Sequence, residues 1–216
     1  MSGALLIIGA GPGIGLASAE RFGREGWTIV LASRRPRTLD PMVARLVGQG
    51  IDAHGLVIDA TDPAAMQAGI RTADRLSGGL TTVLYNAALV RQQDLFSMSD
   101  AEVESDVAVN ITGGLHAIRA ATALFADRGG TILVTGGGLA VAPHASYASL
   151  GLGKAALRNL VEGLAPALRE QHIRIATATV STLVAPESVE AQGVAQTLWT
   201  LATDPDAGWE RTYPAA

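Results

Sequence analysis

Leu5-Leu6-Ile7-Ile8-Gly9-Ala10-Gly11-Pro12-Gly13-Ile14-Gly15 is an apolar strand running straight into closely spaced glycines. This is how a backbone approaches a pyrophosphate. A side chain there would block the turn, the phosphate and the packing of the next helix on the strand, while the helix N-terminus supplies amide donors and a favourable dipole. The spacing is Gly-x-x-x-Gly-x-Gly at 9, 13 and 15, and the stricter Gly-x-Gly-x-x-Gly frame from Gly9 meets Ile14 at its last position. Gly9, Gly11, Gly13, Ile14 and Gly15 are therefore candidate cofactor-binding residues. Downstream, Ile14, Ala17, Ser18, Phe22 and Gly26 trace one side of a helix, and residues 27 to 32 read as a second buried strand ending in Ser33-Arg34-Arg35. These arginines fall about 20 residues beyond the glycine turn, where a carboxylate would take the ribose 2′-hydroxyl of NAD. No carboxylate stands there. Arg34 and Arg35 suit a 2′-phosphate and Ser33 adds a hydroxyl, so the expected cofactor is NADP(H). The plainer alternative is a solvated basic pair at a helix start.

Strand and helix patterns alternate to the end of the chain, with strands expected near 4–8, 28–32, 52–58, 81–85, 131–135 and 173–180. Helices are expected near 14–25, 38–49, 62–75, 100–126, 145–170 and 187–203. This is the pattern of an α/β fold, a single doubly wound parallel-sheet domain over residues 1–216 with helices on both faces. Ligands of such sheets bind beyond the strand C-termini, so the residues after each strand are the ones to weigh. Hydrophobic residues make up 48% of the 216 and aromatics 4%, a composition suited to close helix-on-sheet packing. The formal net charge of −4, without a basic tract, gives no support to nucleic-acid or membrane binding. With no transmembrane-length run and no basic segment before the apolar start, a cytoplasmic location is expected. The absence of cysteine excludes disulfides and thiolate chemistry, and His54, His116, His144 and His172 have no metal-ligand spacing.

With these elements in place the chain resembles the short-chain dehydrogenase/reductase family over nearly its whole length, which implies a Rossmann-like fold and a nicotinamide cofactor. The glycines match the family's turn, with Ile8 where threonine is usual. Asp59, followed by Ala60, matches an aspartate that binds the adenine amino group, leaving the helix-capping role to Thr61 or Asp62. Tyr85-Asn86-Ala87-Ala88 is similar to the family's Asn-Asn-Ala-Gly, and Asn110 and Lys154 match two members of its catalytic tetrad. By the resemblance, Lys154 binds the nicotinamide ribose and lowers the pKa of a tyrosine four residues before it.

The other two tetrad positions depart from that pattern. Leu150 stands four residues before Lys154, and position 137, where the family has serine, is glycine. Tyr147 is the candidate replacement, because it lies about 20° from Lys154 around a helix and about 10 Å along it. The lean of helical side chains brings the pair toward hydrogen-bonding or one-water distance. Thr135, Ser146 and Ser149 are weaker candidates to polarise a carbonyl, Ser146 reading more simply as an N-cap, and His144 is a minor candidate acid. Arg91 is either a contact for an anionic substrate or an ordinary loop arginine. After the sixth strand, Ser181 and Thr182 are candidates to bind the carboxamide or phosphates. Pro186 and Glu187 then open the last helix, leaving little chain for a lid. The tail around residues 209 to 213 reads as an edge strand or an oligomer contact. The expected function is an NADP(H)-dependent oxidoreductase acting on a small-molecule carbonyl or alcohol, with Lys154, Asn110 and Tyr147 as catalytic residues. The alternatives are an inactive NADP(H)-binding sensor or partner subunit, and a non-redox enzyme. The resemblance further implies a homodimer or homotetramer through the helices near 100–126 and 145–170.

Overall fold

The computed structural model describes residues 3–215. Strands β1 (Ala4–Ile8), β2 (Thr28–Ser33), β3 (Ala53–Val57), β4 (Thr82–Tyr85), β5 (Gly130–Thr135), β6 (Ile173–Val180) and β7 (Glu210–Tyr213) form one parallel sheet. Their spatial order is β3-β2-β1-β4-β5-β6-β7. The chain winds outward from β1 in one direction and returns to β4 on its other side, so the order switches between β1 and β4. At that switch the loops diverge and leave a crevice at the strand C-termini. The tail is thus an edge strand, β7, which Arg158 of the helix Ala148–Glu170 ties down through both oxygens of Glu210 at 2.9 and 2.7 Å.

Strand alternation sorts the core into two layers. Leu6 and Ile8 of β1 pack with Val30, Val83 and Ile132 against α3 (Pro63–Leu76), α5 (Gly113–Phe125) and α6 (Ala148–Glu170). Leu5 and Ile7 pack with Ile29, Leu31 and Leu133 against α1 (Ile14–Gly23), α2 (Pro36–Gly48) and α7 (Val189–Thr203). All five residues of β1 are buried, as a central parallel strand covered on both faces requires. No helix among the described residues is long and apolar enough to cross a membrane.

Several helix boundaries differ from expectation for local reasons. The buried side of α1 carries Leu16, Ser18, Ala19, Phe22 and Gly23, and the helix ends at Gly23, so Gly26 lies in the following turn at φ +78°. Pro36 starts α2 two residues earlier than expected, proline being well suited to the first turn. Asp62, rather than Thr61, caps α3 by accepting from the amides of Ala64 and Ala65. Tyr147, not Ser146, occupies the N-cap of α6, and the Ser146 amide donates to Nδ1 of His144 at 3.2 Å. The last helix begins later than residues 186 and 187, with Ser188 as its cap, while Glu187 sits at φ +60° and pairs with Arg45.

The long helix expected over 100–126 is interrupted. Helix α4 (Asp100–Val107) continues into a wider π turn at Ala108–Thr112 before α5. The buried Tyr85 hydroxyl donates to the Val109 carbonyl at 2.5 Å, and the glycine at 113 leaves room for that hydroxyl. A side chain thus claims a carbonyl of the helical ladder, and the extra residue is absorbed as a bulge.

Candidate active site

The crevice is a cleft of about 950 Å³ into which the loops after β1, β2, β3, β4, β5 and β6 all contribute. Its floor is the glycine turn. Gly9 has φ +86°, and a Cβ there would run into the backbone of Ala87, so only glycine closes this turn against the β4 loop. At Gly15 a Cβ would press on the Cα of Ala10 at 3.2 Å, which explains the close seating of α1 on β1. Gly11 and Gly13 are different, since a Cβ at either would meet nothing within 4 Å. Their surroundings are open toward the cleft, and α1 carries no side-chain cap at Gly13. Open space beside an uncapped helix N-terminus is the cradle that a pyrophosphate fits.

A chain of hydrogen bonds connects this turn to the opposite end of the cleft. The Asn86 amide donates to the Gly9 carbonyl at 2.9 Å and accepts from the Thr135 hydroxyl at 2.8 Å. The Thr135 carbonyl accepts from Nζ of Lys154 at 2.7 Å. Asn86 therefore works as a brace across β1, β4 and β5. Burial pushes the Lys154 ammonium down to about 8, although part of the side chain still opens into the cleft.

The remaining expected residues fall as follows. Ser33 and Arg34 line the cleft at the end of β2. Arg35 departs from expectation: it is the N-cap residue of α2, exposed and outside the lining, its amide donating to Ser33 Oγ at 3.4 Å. Asp59 also lines the cleft. Its Oδ1 accepts from the amide and hydroxyl of Thr61 at 3.0 and 2.8 Å, which holds the carboxyl below its usual range. Ala60, Ala87, Ala88, Ser181 and Thr182 complete the wall, and only residues 181 to 187 separate β6 from the Ser188 cap of α7.

At the Lys154 end, Leu150 is 7% exposed and faces the cleft. A Cβ on Gly137 would lie 3.2 Å from Cγ of Lys154, so the lysine stem fills the space beside that glycine. Tyr147 lines the same cleft and also a side hollow with Pro143 and His144. Of the two arrangements expected for Tyr147 and Lys154, a direct hydrogen bond or a one-water bridge, the direct bond is not formed among the described residues, the lysine turning to the Thr135 carbonyl. Asn110 likewise departs from the expected catalytic placement. Its side chain is 4% exposed and bonds the backbone of Leu89 at both ends, accepting at 2.8 Å and donating at 3.0 Å. It positions the β4 loop from within the π turn rather than facing the cleft.

The sequence reading missed a buried polar cluster behind this wall. Asp106, fully buried on α4, accepts from Ser149 Oγ at 2.7 Å and from Arg91 at 3.1 and 3.2 Å. Arg91 also donates to Glu102 at 2.7 Å. Arg91 is thus neither a free loop arginine nor a substrate contact. The Ser99–Glu102 capping box was visible as Ser-x-x-Glu; a carboxylate on the inner face of α4 carried no local signal. Removing the acid with Asp106→Ala leaves the Ser149 hydroxyl without its acceptor and Arg91 with Glu102 as its remaining carboxylate, and is expected to lower the unfolding free energy by about 2 kcal/mol in urea titration.

Residues 4–193 match the short chain dehydrogenase family. The chain belongs to that family. It is 30% identical over 193 residues to the oxidoreductase asL5 of Sarocladium schorii, covering 88% of this chain and 76% of that protein. It is also 30% identical to the 2,3-dihydro-2,3-dihydroxybenzoate dehydrogenase of Bacillus subtilis, over 85% and 69% of the two chains. A short chain dehydrogenase from Mycobacterium smegmatis superposes with a TM-score of 0.89 at 26% identity, covering 98% and 91%. A metagenomic short-chain oxidoreductase in complex with NADP gives 0.88 over 100% and 99%, and at 24% identity bears on the fold alone. This short chain dehydrogenase therefore has the nucleotide-binding Rossmann architecture of an oxidoreductase family.

Proposed function

We propose that the protein is an NADP(H)-dependent oxidoreductase acting on a small carbonyl or alcohol, with residues 1–216 as one dinucleotide-binding unit. The observation that carries this reading is the gathering of Arg34, the open glycine turn and buried Lys154 along one cleft. Arg34 meets the 2′-phosphate, the first-turn amides of α1 meet the pyrophosphate, and Asp59 keeps Oδ2 for the adenine amino group. Ser181 and Thr182 face the carboxamide. When bound, the cofactor supplies or accepts hydride. Lys154 holds the nicotinamide ribose, and its charge stabilises negative charge developing on the substrate oxygen.

The catalytic end is atypical in this reading, with Leu150 and Gly137 in place of the family's tyrosine and serine. The proton then comes from Tyr147 or from water, which the short segment after β6 does not exclude. Helices α4, α5 and α6 are proposed to pair copies of the chain. The test is NADPH consumption by the purified protein offered a panel of small aldehydes, ketones and quinones. Saturable turnover of one class is expected. Nucleotide binding without turnover of any would overturn the enzymatic reading and support a binding protein instead.

A further inference from the structure

We infer that the Tyr85 hydroxyl is a positioning group for the Lys154 end of the cleft, acting through the peptide that joins Val109 to Asn110. This rests on the NADP(H) reading above and deepens it with a residue outside the cleft lining. Tyr85 stands where the family's Asn-Asn-Ala-Gly begins, at the last position of β4, and is 1% exposed. Its hydroxyl donates to the Val109 carbonyl at 2.5 Å. That carbonyl and the Asn110 amide belong to one planar peptide unit, so the bond fixes the tilt of the backbone that carries Asn110. A Cβ at Gly113 would overlap the hydroxyl, so the start of α5 has to be bare for the phenol to reach its acceptor. Burial pushes the phenol well above its ordinary range, which keeps the hydroxyl protonated as a donor. A second hydroxyl supports the same widened turn, Thr112 donating to the Val107 carbonyl at 3.2 Å.

The fixed peptide delivers Asn110 to two places at once. Its side chain accepts from the Leu89 amide at 2.8 Å and donates to the Leu89 carbonyl at 3.0 Å. Leu89 lies between Ala88 and Val90, which both line the cleft. On its other side Asn110 is pressed against Gly153, where a Cβ would overlap the Asn110 Cβ and lie 3.1 Å from its carbonyl oxygen. Gly153 immediately precedes Lys154.

One peptide thus sets the β4 loop on one side and the lysine-bearing turn of α6 on the other. Without the hydroxyl the buried Val109 carbonyl loses a partner, and the π turn loses a bond that holds it open. Asn110 then loses its fixed approach to Leu89 and Gly153. In a close-packed interior such a shift is transmitted, and misplacing groups by about 1 Å weakens what they hold. In the NADP(H) reading the nicotinamide half lies at this end, whereas Arg34 and Asp59, after β2 and β3, serve the adenine half.

The experiment compares the full chain with Tyr85→Phe, which removes one oxygen and keeps the ring in the core, with Asn110→Ala, and with the double variant. Each is titrated with NADPH by nucleotide fluorescence and with 2′,5′-ADP, which lacks the nicotinamide half, by calorimetry. Tyr85→Phe is expected to raise the Kd for NADPH about tenfold and to leave that for 2′,5′-ADP within about twofold. Asn110→Ala should show the same selective loss, and the double variant should bind no more weakly than the worse single variant, because the hydroxyl acts through Asn110. In the unaltered chain the Leu89 amide should exchange its hydrogen at least about 100-fold more slowly than in an unfolded chain, a reading that needs no variant to fold. Equal weakening of both nucleotides would put the effect on the adenine side or on the fold at large and overturns the inference. Unchanged NADPH affinity in Tyr85→Phe, additive losses in the double variant, or an unprotected Leu89 amide overturns it too, while leaving the NADP(H) reading standing. Failure of the unaltered chain to bind NADPH overturns both.

Discussion

Lys154→Met is expected to make the protein more stable and nearly inactive. The lysine's folded-state pKa is about 8 against an ordinary 10.5, because burial penalises its charge. Between those values the unfolded chain binds the proton more tightly, so stability rises with pH from about 8 to about 10.5 and the full penalty applies below 8. Methionine is similar in reach and carries no charge. At pH 7 it should raise the unfolding free energy by about 2 kcal/mol, the residual opening to the cleft keeping the gain below the full shift. The advantage should shrink as the pH approaches 10.5. NADPH-dependent turnover should fall by at least about 100-fold with the loss of the cation at the reacting end. Urea unfolding at pH 7 and pH 10, with parallel assays of NADPH consumption, measures both effects. A variant less stable at pH 7, or one that keeps wild-type turnover, contradicts the role given to Lys154.

Arg34→Ala is expected to separate the two nicotinamide dinucleotides. Arg34 lines the cleft at the end of β2, whereas Arg35 lies outside the lining at the N-cap of α2. A planar guanidinium against a phosphate makes paired, charge-assisted hydrogen bonds, so its loss should weaken NADPH binding about 100-fold and leave NADH within about threefold. Arg35→Ala should change either affinity by less than about threefold. Equal losses for both dinucleotides in Arg34→Ala would mean that the arginine acts on the fold or on the shared pyrophosphate.

The sheet was legible because its signals are local and dense. The apolar run before Gly9, the arginines closing β2 and the alternation of strand and helix patterns each encode their element within a few residues. The positive φ at Gly9 and the seating of Gly15 on Ala10 are the physical content of that glycine pattern. The site was legible only in part, because its geometry is decided between elements. Helical spacing put Tyr147 and Lys154 on one helix face; in the structure both line one cleft, with Tyr147 at the N-cap of α6 rather than within the helix. It could not foresee that the lysine would turn to the Thr135 carbonyl, in the space that Gly137 leaves beside its stem. Nor does any local pattern reveal that Tyr85, distant in sequence, takes the Val109 carbonyl and opens a π turn around Asn110. The Arg91–Asp106–Ser149 cluster joins a loop and two helices, and its members look unremarkable one at a time. At the start of α7, proline favoured the first helical turn, but the left-handed backbone at Glu187 and its pairing with Arg45 moved the cap to Ser188.

The most direct test of an NADP(H) site along the glycine turn is titration of the unaltered protein with NADPH and, separately, with NADH, followed by nucleotide fluorescence. The predicted result is saturable NADPH binding with a Kd on the order of 10 μM or tighter, and NADH binding at least about tenfold weaker. Absence of NADPH binding at about 1 mM, or an equal preference for NADH, would contradict it.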